Sequence, residues 1–136
     1  MSTPTQVVNH MMQHDLFSQW LGIEVLEVNE GYSKIKMTVR KEMVNGFGIA
    51  HGGIAFSLAD SAFAFACNSD GKITVALDTS MSFPKAVKPG DILTAEGKRL
   101  NQTRSTGLYL IELKNQNEEL VGVFKGTCFR TGKDLE

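Results

Sequence analysis

The sequence predicts an α+β domain, with one long central helix laid against an antiparallel β-sheet. Three observations carry this. The longest apolar stretch, Ile54 to Cys67, runs 14 residues, too long for an ordinary buried strand and short of the roughly 20 residues of a membrane span. From Ile73 onward apolar residues alternate with a period of two, the mark of strands with one buried face. The turns between those strands are short, and short turns join antiparallel neighbours because a parallel crossover takes a dozen residues or more. With 136 residues, the chain makes one domain and leaves no length for a second.

In order along the chain, Val8, Met11, Met12, Leu16 and Trp20 recur near a helical period behind Thr3 and Pro4, which predicts an amphipathic helix over about 5–20. Ile23, Val25 and Val28, then Ile35, Met37 and Val39, alternate on either side of Asn29, Glu30 and Gly31 and predict a hairpin. A loop from Asn45 to Gly53 holds four of the 13 glycines and leads into the long helix, which Ser69, Asp70 and Gly71 stop. Four strands follow, Ile73 to Phe83, Ile92 to Leu100, Ser105 to Leu113 and Leu120 to Phe129, turned at Lys88 to Asp91 and at Asn115 to Asn117. Residues 131–136 read as a disordered tail, with Leu135 and Glu136 as an expression scar.

Composition narrows the partners. The 14 Lys and Arg against 15 Asp and Glu leave a net charge of -1, with no basic excess for a phosphate backbone, so nucleic acid is not an expected partner. Cys67 and Cys128 lie far apart in apolar surroundings with no CxxC and read as buried small hydrophobes. His10 and His14 stand four apart on the first helix without the Glu of a metalloprotease motif, so no metal site is expected. Met1 to Gln6 shows neither a basic nor an apolar signal region, and no run is long enough for a membrane. The expected setting is a reducing cytoplasm.

The chemistry concentrates on the long helix. Wound over residues 53–67 it is apolar in nearly every direction, which predicts burial on all sides. Asp60 sits in its middle, and a buried carboxylate must be paired, protonated, or turned toward a cavity. Two readings stay open: a structural Asp held by strand backbone, or a perturbed carboxylate in a cleft. At the helix start, His51, Gly52 and Gly53 present free backbone N–H groups and the positive end of the dipole. Either that loop needs unusual backbone angles, or its donors meet an oxyanion developing at a thioester or ester carbonyl.

Distance decides whether the two features can cooperate. Gly52 and Asp60 are eight residues apart, about 12 Å along a helix, while a donor and a base must both come within roughly 3 Å of one reacting group. If both serve one substrate, Asp60 must come from a second copy whose helix runs antiparallel to the first. Two equivalent sites per dimer follow.

The segment HGGIAFSLADSAFAFACNS from His51 to Ser69, with Asn45 six residues before His51 and with Thr74 to Asp78, Phe83 and Pro84 downstream, resembles the hotdog-fold thioesterases of the phenylacetic acid degradation (PaaI) type. The resemblance covers about residues 20–130. It implies a helix wrapped by an antiparallel sheet, a homodimer with sites at its interface, usually paired into a homotetramer, and hydrolysis of acyl-CoA thioesters. Arylacetyl groups such as hydroxyphenylacetyl are the inherited substrate class, and CoA is part of the substrate, so no cofactor is implied. Carried over residue by residue, the Gly52 N–H polarises the thioester carbonyl and Asp60 of the partner subunit is the catalytic carboxylate. Asn45 orients the carbonyl or the attacking water, Thr74 falls where relatives place a residue assisting that water, and His51 orders the loop and helps position the thioester. One departure is Ala76, where relatives often have Ser within Thr-x-Ser-Leu-Asn.

A CoA thioester also needs an apolar pocket for its acyl group and cations for its phosphates. Phe47, Ile49 and Met81 are the candidates for the first, and Arg104, with Lys85, Lys88 and Arg99, for the second, while Gly53 at the helix start is a further substrate-binding candidate. Asp60 acts either as general base toward water or as nucleophile. Two other classes remain open, a non-catalytic acyl-CoA binding protein and a hotdog-type acyl-CoA dehydratase or hydratase.

Overall fold

In the computed structural model, which describes residues 2–135, the N-terminal segment folds as two helices, α1 (Pro4–His14) and α2 (Leu16–Leu21), in place of the single helix expected over 5–20. Asp15 makes the break. Its carboxylate accepts hydrogen bonds from the Ser18 N–H at 3.0 Å and the Ser18 hydroxyl at 2.6 Å, a local alternative to continuing the first helix. Thr3 caps α1 as expected, in a reciprocal box with Gln6.

The hairpin forms as β1 (Glu24–Asn29) and β2 (Tyr32–Thr38), and α3 (Gly52–Asn68) follows the glycine-rich loop. Next come β3 (Lys72–Ser82), β4 (Ile92–Gln102), β5 (Thr106–Lys114) and β6 (Leu120–Asp134). The six strands form one antiparallel sheet in the order β1-β2-β4-β5-β6-β3, with α3 packed against it. The α+β expectation holds. The expected loose tail does not: β6 continues to Asp134, which pairs with Lys72 along the strand and through a 2.6 Å ion pair, and the Leu135 N–H donates to the Gly71 carbonyl. The C-terminal stretch is held because β3 needs a partner along its first residues. Glu136 lies outside the described residues.

The helix sits close to the sheet because both surfaces are small where they meet. Ala55, Ala59, Ala62 and Ala66 form a buried stripe along α3, and the Ser33 hydroxyl donates to the Ala62 carbonyl at 2.6 Å. Phe63 packs 5.7 Å from Tyr109 and 5.5 Å from Phe124 between ring centroids. Its ring lies over Gly126, where a Cβ would fall 2.8 Å from Phe63 Cζ. At the other end Asn68 clamps the start of β3, accepting from the Thr74 N–H at 2.8 Å and donating to the Thr74 carbonyl at 3.1 Å. Cys67 and Cys128 are both free and buried.

Gly126→Ala should therefore lower stability by about 1–3 kcal/mol, the usual cost of overpacking. Denaturant unfolding measures it, and adding Phe63→Leu should return part of the loss because the clash is with that ring.

Candidate active site

The structure revises the burial of α3. Gly53, Ser57, Asp60 and Ala64, spaced four, three and four, form a stripe that no strand covers, so Asp60 is exposed in the single chain while its neighbours Ala59 and Ser61 are buried. Gly and Ala counted as apolar in the sequence pattern without saying which way they faced. Among the described residues nothing donates a hydrogen bond to the Asp60 carboxylate, so the strand-bound structural reading fails. Asp60 instead lines a hollow of about 160 Å³ with Asp15, Phe17, Phe56 and Ser57. Partial desolvation there, and secondarily the Asp15 charge, push its carboxyl above the ordinary range.

The helix start is a separate construction. The Ala50 N–H donates to the Val87 carbonyl at 2.7 Å and the His51 N–H to the Met43 carbonyl at 2.8 Å, which fixes the loop where it enters α3. Asn45 folds that loop: its N–H donates to the Ile49 carbonyl, and its Oδ1 accepts from the Phe47 N–H at 2.9 Å. The amide Nδ2 is thus the part of Asn45 left for a ligand. His51 caps α3 by accepting the Gly53 N–H on Nδ1 at 2.9 Å, so the proton of its neutral ring sits on Nε2. The Gly52 N–H meets no acceptor among the described residues, as befits the first residue of a helix.

Asn45, His51 and Gly52 line one pocket of about 310 Å³, together with Ile49, Phe83 and Lys85. The hollow holding Asp60 shares no residue with it. One chain therefore presents the donors and the carboxylate at two places, as the 12 Å separation required.

The remaining expected residues divide. Ile49 belongs to the donor pocket, whereas Gly53 lines a neighbouring groove with Phe17, Trp20 and Ser57. Phe47 stands at the loop tip, 89% exposed, and Met81 lies on β3 against Gly122. Arg104 falls in the turn between β4 and β5, away from the helix start, and the cation placed there is Lys85, which also pairs with Glu119 at 2.9 Å. Thr74 is buried at the far end of α3, with its hydroxyl donating to the Lys72 carbonyl at 3.1 Å. Neither hollow includes it. Phe83 and Val87 were absent from the expected pocket, although Phe83 carries a local signal in the Phe-Pro pair that ends β3.

His10 and His14 stack edge to face at 4.9 Å. Among the described residues they belong to no cluster of three or more His, Cys, Asp or Glu side chains, and no described helix is long and apolar enough to cross a membrane.

Comparison with known proteins follows the same lines. Residues 47–122 match the family model described as the thioesterase superfamily. The acyl-coenzyme A thioesterase PaaI of Escherichia coli is 40% identical over 93% of this chain and 91% of its own length. Its solved structure superposes with a TM-score of 0.94 at 39% identity, covering 96% of this chain and 95% of that one. A putative esterase of Archaeoglobus fulgidus is 42% identical over 96% of this chain and 84% of its own length. A hypothetical thioesterase of Streptococcus pneumoniae, solved with coenzyme A, superposes with a TM-score of 0.79 at 30% identity, covering 82% of this chain and 88% of that one. By the family match over more than half of its length and by these identities and superpositions, the chain belongs to the thioesterase superfamily, has its hotdog fold, and is a thioester hydrolase.

Proposed function

We propose that this chain hydrolyses acyl-CoA thioesters at a site shared by two copies, the Gly52 N–H and Asn45 Nδ2 of one holding the carbonyl oxygen and Asp60 of the other activating water. The observation that carries the reading is the split site: donors without an acceptor in one pocket and, among the described residues, an unpaired carboxylate in another, on a helix stripe that no strand covers. A second copy has a place to dock. β3 is an edge strand of 11 residues with Val75 48% and Leu77 59% exposed, and such an edge is a template for pairing. The coenzyme A of the Streptococcus pneumoniae relative and the name of the Escherichia coli one support CoA as the thiol. Lys85 offers it a cation at the pocket. The phenylacetic acid operon of the Escherichia coli structure supports arylacetyl groups as the acyl class.

In the general-base route, water attacks the carbonyl carbon while Asp60 takes its proton, the donors hold the oxyanion, and the C–S bond breaks to release CoA thiolate. In the nucleophilic route, the Asp60 carboxylate displaces the thiolate to form an anhydride that water then cleaves. Turnover of a single equivalent in oxygen-labelled water separates them, since label enters the Asp60 side chain only through the anhydride. His51 has no proton-transfer part in either, with Nδ1 committed to Gly53.

Asp60→Asn should lower kcat by about 10²- to 10⁴-fold, the usual contribution of general acid–base catalysis. Mixing Asp60→Asn with Asn45→Ala chains tests the sharing directly. Statistical exchange makes half the dimers mixed, each with one intact site, so about a quarter of wild-type activity should return. No recovery on verified exchange would place both groups in one chain.

The acid limb of kcat/KM should report the ionisation of Asp60. Because the carboxyl is raised, activity should fall as pH drops through a value above the ordinary carboxylate range. Asp15→Asn removes the neighbouring like charge and should move that limb to lower pH, which a pH–rate profile measures.

A further inference from the structure

We infer that Phe17 and Trp20 of α2 form the wall that receives the acyl group, and that Phe17 selects for broad, flat acyl chains; the inference rests on the thioesterase reading above. Three observations lead to it. First, the side chains are placed on the site. Phe17 lines the hollow that holds Asp60 and also the adjoining groove of about 310 Å³ that reaches His51 and Gly53. Whichever copy receives Asp60 receives Phe17 with it, because the Asp15–Ser18–Ser61 hydrogen bonds, 2.6 and 2.8 Å long, fasten α2 to α3 one residue beyond Asp60.

Second, the two rings remain open although they are costly to leave in water. Phe17 is 53% and Trp20 49% exposed, and they stack with centroids 6.0 Å apart and planes 22° apart. Arg40 lies 4.8 Å from the Trp20 centroid and is tied to Glu42 at 3.0 Å, so the tryptophan is braced from the loop side. A braced aromatic pair presents a face to which a planar group adds by offset stacking, about 0.5–1.5 kcal/mol beyond its area.

Third, charge assigns the two ends of the substrate. The acidic side chains lining the hollows on the α2 side are Asp15, Glu42 and Asp60, and Arg40 beside Trp20 is itself paired with Glu42, which leaves a net acidic rim that disfavours the CoA phosphates. Lys85 stands in the donor pocket on the other side of Gly52. The polyanion therefore leaves past Lys85 and the uncharged acyl group lies along α2.

The test compares Phe17→Ala, Phe17→Leu and Trp20→Ala with wild type on phenylacetyl-CoA and acetyl-CoA, with the oligomeric state followed by gel filtration and Asp60→Asn run alongside. Phe17→Ala should raise KM for phenylacetyl-CoA about tenfold, with acetyl-CoA within about twofold. Phe17→Leu should recover part of the loss, and Trp20→Ala should show a smaller loss of the same kind. Equal losses on both substrates, unchanged discrimination, or a change in assembly would overturn the assignment while Asp60→Asn still abolishes turnover. Absence of wild-type hydrolysis of either thioester would overturn the parent reading, and this one with it.

Discussion

The close seating of α3 on the sheet is the constraint from which the other features follow. A helix held by alanines against a surface that includes Gly126 has little freedom to rotate, since each quarter turn would drive a larger side chain into strand backbone. Inward-facing Ala55, Ala59, Ala62 and Ala66 leave only one direction for Gly53, Ser57, Asp60 and Ala64. The same packing fixes the axial position, through the Ser33–Ala62 hydrogen bond in the middle and the Asn68–Thr74 clamp at the end. Rotation decides where the carboxylate points, and translation decides where the helix start stands.

A rigid helix also makes the distance between those two points non-negotiable. Flexible loops could bring a donor and a base together, but eight residues of helix hold them about 12 Å apart in every conformation the fold allows. The topology supplies the complement. β3 leaves the end of α3 and crosses to the far edge beside β6, so one of its edges is unpaired over the whole strand. A fold that sets the helix start and Asp60 apart along α3 thus also presents an open strand edge, the kind of template on which the proposed second copy would pair.

The architecture was legible in the sequence because its signals were repeated many times over: period-two alternation across several strands, and one long, mostly apolar stretch. Features resting on a single residue were not. Asp15 breaks the first helix with one carboxylate, and nothing in the spacing of Val8, Met11, Leu16 and Trp20 announces that it will bond Ser18. The resulting turn of the chain carries Phe17 and Trp20 to the outward stripe of α3. β6 beyond Phe129 looked loose because its composition is polar, but it pairs at an edge where polar side chains face water. His51, Gly52 and Asp60 could be placed on α3 because their spacing is tied to a helix start, and the structure puts Asn45 in the same pocket as His51 and Gly52. Arg104 and Met81 were chosen by residue type alone, and type carries no position.

The choice of cap at α3 determines which amide is available for chemistry. A helix begins with amides that have no intrahelical acceptor, and an N-cap side chain ordinarily takes one of them. Here the Gly53 N–H is taken by His51 Nδ1 and the Ile54 N–H donates to the His51 carbonyl, which leaves the Gly52 N–H as the first-turn donor facing the pocket. A Cβ on Gly53 would lie 3.0 Å from that same Nδ1, so the second glycine lets the imidazole reach its amide, while the first keeps the free one uncovered. In the proposed mechanism His51 thereby acts without exchanging a proton: by satisfying the second amide and pinning the ring, it holds a single unsatisfied donor in a fixed direction, the preorganisation an oxyanion requires.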